Sequence, residues 1–233
     1  MKIAIMQPYI FPYIGYFQLI HAVDKFIFYD DVNFIKGGWI NRNRILMQSQ
    51  GHLITIPLKG AGSNRLICEI EVDWVGKDLP KFKQNIEHAY KKAPFFNDIM
   101  ALINEVFTSD KKSIGALASY SIEVIASYLN ISKEFKSSSD QFYNNRGCER
   151  ADRLIDICKR ENADEYINTI GGQTLYAKEY FFKCGVNLNF LQPNIAPYKQ
   201  FNNEFIAGLS IIDVLMFNKR ERVKELLTGY ELI

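Results

Sequence analysis

The side chains best suited to chemistry crowd the start of the chain. In Gln7-Pro8-Tyr9-Ile10-Phe11-Pro12-Tyr13-Ile14-Gly15-Tyr16, two prolines stiffen a loop and Gly15 permits close backbone approach. A helix beginning at Tyr16 would offer free N–H groups to an anion. Three tyrosines on such a loop form a platform for a planar or sugar ring; the same residues also suit a tight turn whose aromatics pack inward. Asp30-Asp31 follow, and adjacent carboxylates on a strand point to opposite faces, so one of the two faces a site. That carboxylate would accept from a sugar hydroxyl or ammonium, or serve as a general base. Lys36, Arg42 and Arg44 suit phosphate, the arginines in bidentate fashion, with Trp39 and Asn41 between them. The competing reading of this stretch is a solvated hairpin of mixed charge.

A second candidate is Asn168-Thr169-Ile170-Gly171-Gly172, placed between a predicted strand and a predicted helix. Backbone N–H groups there could cradle an anion, although the P-loop Lys-Ser/Thr and the full dinucleotide glycine pattern are missing. A Gly-Gly pair also serves as a plain turn. His21, His52 and His88 form no Ser-His-Asp or Cys-His arrangement. Cys68, Cys148, Cys158 and Cys184 show no paired spacing, so they read as buried reduced thiols and no metal site is predicted.

These residues need elements to hold them. Ile3, Ala4, Ile5 and Met6 are a continuous apolar run stopped by Pro8, a buried strand over Lys2 to Gln7. Tyr16 to Val23 has helical spacing, and Lys25 to Tyr29 returns as an aromatic strand. Strand, loop, helix, strand is a βαβ unit, which implies a parallel pair with a right-handed crossover. Ligands of such sheets sit beyond the carboxyl ends of the strands, where Gln7, Tyr9, Asp30 and Asp31 fall. Trp39 to Met47, His52 to Lys59 and Cys68 to Asp73 read as further strands, the last half-exposed at an edge. Helices are predicted over Lys81 to Lys92, from Phe96 to Phe107, and from a cap at Ser109 or Asp110 to Asn130. Ser137-Ser138-Ser139 reads as a polar loop. Cys148 to Glu161, Leu175 to Lys183 and Leu209 to Phe217 read as helices; Ala163 to Thr169 and Val186 to Leu191 read as strands, with Gly185 as a helix C-cap. The expectation is an α/β fold, one domain over 1–233 with a helical insertion or subdomain at about 78–135.

The totals set limits. The 233 residues are 48% hydrophobic and 23% charged, which is globular material, and the formal charge of +2 gives no electrostatic case for nucleic-acid binding. No segment approaches the roughly 20 apolar residues of a membrane span, and the apolar start is too short for a signal peptide, so no membrane insertion and a cytoplasmic location are expected.

Several motifs together resemble the WbqC-like family: Met6-Gln-Pro-Tyr-Ile-Phe-Pro-Tyr-Ile-Gly-Tyr-Phe-Gln-Leu-Ile20, Phe28-Tyr-Asp-Asp-Val-Asn-Phe-Ile-Lys36, Trp39-Ile-Asn-Arg-Asn-Arg-Ile45, Ile56-Pro-Leu58, Gly171-Gly172 with Tyr176, and Leu209-Ser-Ile-Ile-Asp213. The match runs essentially end to end. The family is found among bacterial genes for surface polysaccharide (O-antigen) biosynthesis, often near enzymes that make nucleotide-linked amino sugars. The resemblance therefore implies a transferase that places an acyl or aminoacyl group on such a sugar. Gln7, Tyr9, Tyr13, Gly15 and Tyr16 would frame the sugar, with Trp39, Asn41, Asn168, Gly171 and Gly172 beside it. Asp30 or Asp31 would hold or deprotonate its ammonium with Lys36 close by, and Lys36, Arg42 and Arg44 would take the diphosphate. The implied partner is a small-molecule nucleotide sugar, with self-association as a homodimer left open and an acyl donor or ATP with magnesium as the co-reactant. A more distant resemblance is to adenylate-forming and nucleotidyl-transferring enzymes of Rossmann-type fold, which also begin with strand, Gly-containing loop, helix and strand. Their loop carries a His-x-Gly-His type pair; here Pro12-Tyr13-Ile14-Gly15-Tyr16 stands in that place, which argues against ATP chemistry. A non-catalytic sugar-nucleotide-binding or scaffold protein is the third reading.

Overall fold

The computed structural model describes residues 1–201 and 204–233. The apolar run at the start forms β1 (Lys2–Met6), and Ile14–Ala22 forms α1, which enters β2 (Lys25–Phe28). β1 and β2 pair in parallel, Ile3 opposite Lys25 and Met6 opposite Phe28, as the βαβ pattern requires. A hairpin of β3 (Arg42–Met47) and β4 (Gln50–Thr55) follows, and then two short paired strands, β5 (Leu58–Lys59) and β6 (Glu71–Val72). The middle is helical: α2 (Leu79–Tyr90), α3 (Phe96–Phe107) and α4 (Ile114–Tyr128). The chain then returns to the main sheet through β7 (Glu134–Ser137), α5 (Ser138–Gln141), α6 (Arg150–Arg160), β8 (Glu165–Thr169), α7 (Lys178–Lys183) and β9 (Asn187–Pro193). It closes with α8 (Ile211–Phe217), α9 (Arg220–Leu226) and β10 (Tyr230–Leu232).

The main sheet has the order β10-β9-β8-β1-β2-β7, parallel throughout except for β10. From β1 the chain first builds outward through β2 and β7, then crosses back to lay β8 on the other side of β1. Between β1 and β8 the winding reverses, and in open parallel sheets that switch point is where a crevice opens at the carboxyl ends of the strands.

Both faces of the sheet are covered, so its strands are apolar on both sides. Ala4, Phe26, Phe28, Ile167 and Leu191 belong to a large cluster shared with α1, the middle helices and α8. Their neighbours Ile3, Ile5, Ile27, Tyr166, Leu188 and Phe190 belong to a smaller one closed by Leu154, Ile157 and Cys158 of α6 and by Phe181 of α7. Alternate residues of one strand thus feed opposite layers.

Several boundaries differ from the sequence reading. α1 starts at Ile14, two residues early, because Tyr13 takes the cap position and accepts from the Tyr16 N–H at 3.0 Å. Trp39 to Asn41 precede the strand, which begins at Arg42. Cys68 to Asp73 is not one strand but a 3-10 turn (Ile67–Glu69) and the two-residue β6. Ser113, not Ser109 or Asp110, caps the third middle helix, its hydroxyl accepting from Ala116 N–H at 3.2 Å. The serine run is not a loop: Ser137 ends a parallel strand, and Ser138 is fully buried at the start of α5. β7, α9 and β10 had no sequence counterpart. Of the cysteines, all free, Cys158 is buried, Cys68 and Cys184 are half-buried, and Cys148 is exposed, which corrects the expectation for that thiol. Among the described residues no helix is long and apolar enough to cross a membrane, and no group of His, Cys, Asp or Glu is placed to hold a metal ion.

Candidate functional site

The loop after β1 is fixed from three directions. Phe11 has a left-handed φ of +41°, a conformation that costs a non-glycine residue energy and needs support from its surroundings. That support is explicit: the Phe11 N–H donates to Ser121 Oγ at 3.2 Å, and its carbonyl accepts from Asn43 Nδ2 and Ser210 Oγ, each at 2.7 Å. Asn43 Nδ2 also donates to the Ile10 carbonyl at 3.1 Å. Tyr16 is buried and its hydroxyl donates to the Gln7 carbonyl at 2.9 Å. The ring of Tyr13 lies on Gly15, where a Cβ would sit 2.4 Å from Tyr13 Cε2. The close approach that Gly15 permits is therefore used by the protein's own tyrosine.

At the end of β2 the two carboxylates part as strand geometry demands. Asp30 turns to α5 and accepts from Ser139 N–H at 2.9 Å and from Ser139 Oγ at 2.8 Å. Burial is its largest influence and raises its pKa above the ordinary value. Asp31 turns to the crevice, where its side chain is wholly buried. It accepts from Ser138 Oγ, from Arg146 Nε at 2.8 Å and from an Arg153 guanidinium nitrogen at 2.6 Å. Burial would raise the Asp31 pKa, but the Ser138 hydroxyl and the two guanidiniums outweigh it and hold the carboxyl below its ordinary range. Arg153 is itself buried, donates Nε to Asn145 Oδ1 at 2.9 Å, and stacks 4.8 Å above the Tyr29 ring.

These groups surround the switch point. One cavity of about 310 Å³ lies over the ends of β1 and β8, walled by Gln7, Tyr9, Asn168, Gly171, Gly172 and Tyr176. A second, of about 580 Å³, opens beside it, with Asp31, Arg146, Cys148, Arg150 and Arg153 at its far end. Gln7, Tyr29, Ile35, Leu175 and Tyr176 line both, so the two are one continuous cleft. The start of α6 contributes Arg150, and its N-cap residue Glu149 supplies no side-chain cap, which leaves first-turn N–H groups for a ligand. Neither the Gln7 side-chain amide nor the Arg150 guanidinium has a hydrogen-bond or ion-pair partner among the described residues. Burial raises the pKa of Tyr29 and Tyr176, so both stay phenolic near neutrality.

The family model described as the WbqC-like protein family matches residues 7–225. The chain belongs to this family. It is also similar, at 29% identity covering 93% of each chain, to the uncharacterized protein Rv1507c of Mycobacterium tuberculosis. No solved structure matches it.

In this WbqC-like protein the residues singled out by type fall into three groups. Gln7, Tyr9, Asp31, Asn168, Gly171 and Gly172 meet at the cleft. Tyr13 and Trp39 meet instead at a neighbouring cavity that reaches the cleft through Tyr9. The rest stand elsewhere: Tyr16 and Gly15 are buried beneath the loop, Asp30 faces α5, and Lys36 is exposed outside the cavities. Asn41 donates to the Ile56 carbonyl at 2.8 Å; Arg42 Nε holds the Gly38 carbonyl at 2.7 Å and another nitrogen holds that of Gly37; Arg44 reaches the Gly208 carbonyl at 3.3 Å. Those three secure backbone.

The cationic end of the cleft went unrecognised in the sequence. Arg146, Arg150 and Arg153 recur at helical-face spacing around a predicted helix start, a pattern that would have marked them. Ser138 left no such signal.

Proposed function

We propose that this WbqC-like protein is a transferase of bacterial surface-polysaccharide biosynthesis that modifies a nucleotide-linked amino sugar, by N-acyl or aminoacyl transfer to the sugar amine. The observation that carries the reading is the cleft at the switch point, which is cationic at one end and lined by rings and amides at the other. Arg146 engages Asp31 through Nε, leaving the outer guanidinium nitrogens for an anion, and Arg150 adds a second charge beside the free N–H groups of α6. A diphosphate suits that end. Tyr29 and Tyr176 offer ring faces, and Gln7 and Asn168 offer amides to sugar hydroxyls and amine. The standing of the family among surface-polysaccharide genes supports the substrate class.

In this reading Asp31 is a positioning residue. A carboxylate held below its ordinary pKa is a weak base near neutrality, and its oxygens are already occupied by Ser138 and two guanidiniums. Its work is to hold Arg146 and Arg153 at the cleft. The same occupancy leaves it poorly placed to ligate magnesium.

The test is a thermal-shift and calorimetric titration with dTDP- and UDP-linked amino sugars. Ligand at a hundredfold excess over Kd should stabilise the fold by about 2.7 kcal/mol, and Arg150→Ala should weaken binding at least about tenfold, the share of one lost charge-assisted contact. No stabilisation by any such sugar, or unchanged affinity in Arg150→Ala and Arg146→Ala, overturns the reading. Tight binding with no mass gain on the sugar in the presence of acyl and aminoacyl donors would select a sugar-nucleotide-binding protein instead. ATP-dependent adenylation or nucleotidyl transfer draws support from the sheet order. It has against it a first loop in which Tyr13 closes over Gly15. Pyrophosphate release with ATP and magnesium, across carboxylic acids and sugar phosphates, decides it.

A further inference from the structure

A third cavity of about 330 Å³ shares Tyr9 with the cleft and is lined by Tyr9, Pro12, Tyr13, Trp39, Asn43 and Gly208. Its chemistry differs from that of the cleft, for among the described residues no charged side chain lines it. The Asn43 amide is fully engaged: Nδ2 holds the Ile10 and Phe11 carbonyls, and Oδ1 accepts from the Arg44 N–H at 2.8 Å. The remaining side-chain polar groups are the hydroxyls of Tyr9 and Tyr13 and the indole N–H of Trp39, and none of the three is hydrogen-bonded among the described residues.

The cations at its border, Arg42 on the Trp39 ring and Arg44 at Gly208, are committed to backbone carbonyls, so a phosphate or carboxylate is poorly matched there. A sugar ring, with several hydroxyls to satisfy, meets two phenols and one indole N–H, and no amide or carboxylate free to accept from it. A compact apolar group with a single carbonyl fits both the three aromatic walls and the two free hydroxyls. Trp39 is 43% exposed at this cavity and carries the Arg42 guanidinium 5.8 Å from its ring centre, an aromatic surface left partly open.

We propose that this aromatic cavity is the acyl subsite of the enzyme, which receives the apolar acyl group of a thioester donor while the nucleotide sugar lies in the cleft beyond Tyr9. The inference rests on the transferase reading above and adds the class of the second substrate. Tyr9 borders both spaces, so the two ligands meet at its edge, where the sugar amine nitrogen attacks the thioester carbonyl carbon. The C–N bond forms, the C–S bond breaks, and the sulfur departs with the proton released by the amine, as a thiol. The Tyr9 phenol, raised to about 12 chiefly by burial, stays protonated and can donate to the carbonyl oxygen as charge develops on it.

The chain has two tryptophans, so Trp74→Phe makes Trp39 the sole tryptophan reporter. The probe is a series of S-alkyl pantetheine thioethers, unreactive analogues of the donor. Trp39 emission should shift saturably, with affinity rising about fourfold per added methylene, the worth of one buried CH₂, until the cavity is full. Tyr13→Ala should weaken the longest analogue at least about tenfold, by removing one aromatic wall. Because Tyr13 also packs on Gly15, Trp39→Leu, read by calorimetry, provides a second variant whose loss of affinity must agree. Emission that does not respond, or affinity that is flat with chain length, overturns the proposal. Nucleotide-sugar binding is measured on the same proteins. Retained sugar binding without thioether binding removes only the acyl subsite, whereas thioether binding without sugar binding removes the reading of the cleft.

Discussion

Asp31 and Arg153 illustrate how much a single buried pair determines at this site. The Asp31 side chain has no exposed surface and that of Arg153 only 4%, and Arg153 is committed further to Asn145 and the Tyr29 ring. Removing one member of such a pair leaves the other charge buried and uncompensated, which costs about 3–5 kcal/mol. Asp31→Ala should therefore lower the urea midpoint by an amount of that order. Arg146→Ala, whose side chain is 41% exposed, should cost less than about 1 kcal/mol while weakening nucleotide-sugar binding. The pH dependence follows from the sign of the shift. The native Asp31 pKa lies below the ordinary 3.8, so its stabilisation is complete above that value and is lost as the pH falls through the native one. Asp30, raised by burial, acts in the opposite sense and steadies the fold as the pH drops. Comparing wild type with Asp31→Asn from pH 7 to pH 3 isolates the first effect: the difference in stability should be largest at neutrality and shrink on acidification. A difference that grows toward acid would refute the assignment.

At the scale of elements, the turn after β8 makes a sharper test than its Gly-Gly sequence implies. A Cβ on Gly172 would meet Asn168 Nδ2 at 2.6 Å and Asn168 Cγ at 2.9 Å, whereas one on Gly171 would meet nothing within 4 Å. Gly171→Ala should be silent. Gly172→Ala should displace Asn168 from the cleft wall, cost about 1–3 kcal/mol as an overpacking change, and weaken nucleotide-sugar binding severalfold, by calorimetry. Equal effects from the two substitutions would mean that Asn168 takes no part in the site. The same turn shows what sequence makes visible. Continuous apolar and aromatic runs located β1 and β2, which are buried on both faces, and the spacing of apolar residues located α6 closely, because it buries one regular face. β7 escaped notice because Glu134-Phe135-Lys136-Ser137 is an edge strand whose charged residues reach Lys25 and Glu161 in ion pairs. The site was half legible. Residues that end strands at the switch point could be named from the βαβ pattern, but Arg146, Arg150, Arg153 and Tyr176 arrive there from sequence-distant elements, and only the fold brings them in. The loop arginines misled for a related reason: Arg42 and Arg44 look free on paper, yet the folded backbone presents carbonyls for them to hold.

For the molecule as a whole, the question is whether the helical segment at 78–135 stands apart. The larger apolar cluster argues that it does not. It passes without a break from the sheet face at Ala4, Phe26 and Phe28, through Tyr16 and Phe17 of α1, to Phe82, Ile103, Ile122 and Met216. Phe107 at the end of α3 touches Phe11 of the site loop, with ring centres 6.5 Å apart, and Trp74 lies 6.2 Å from that same phenylalanine. Ser121 of α4 holds the strained Phe11 backbone at 3.2 Å. An insertion that helps to set the conformation of the loop should not melt independently of it. We therefore expect one cooperative transition in urea, in which far-UV circular dichroism and the emission of Trp74, isolated by Trp39→Phe, trace the same curve. If the Trp74 signal and the circular dichroism moved at different urea concentrations, the helical segment would be a separate unit, and the Ser121 contact too weak to hold the loop that walls both cavities.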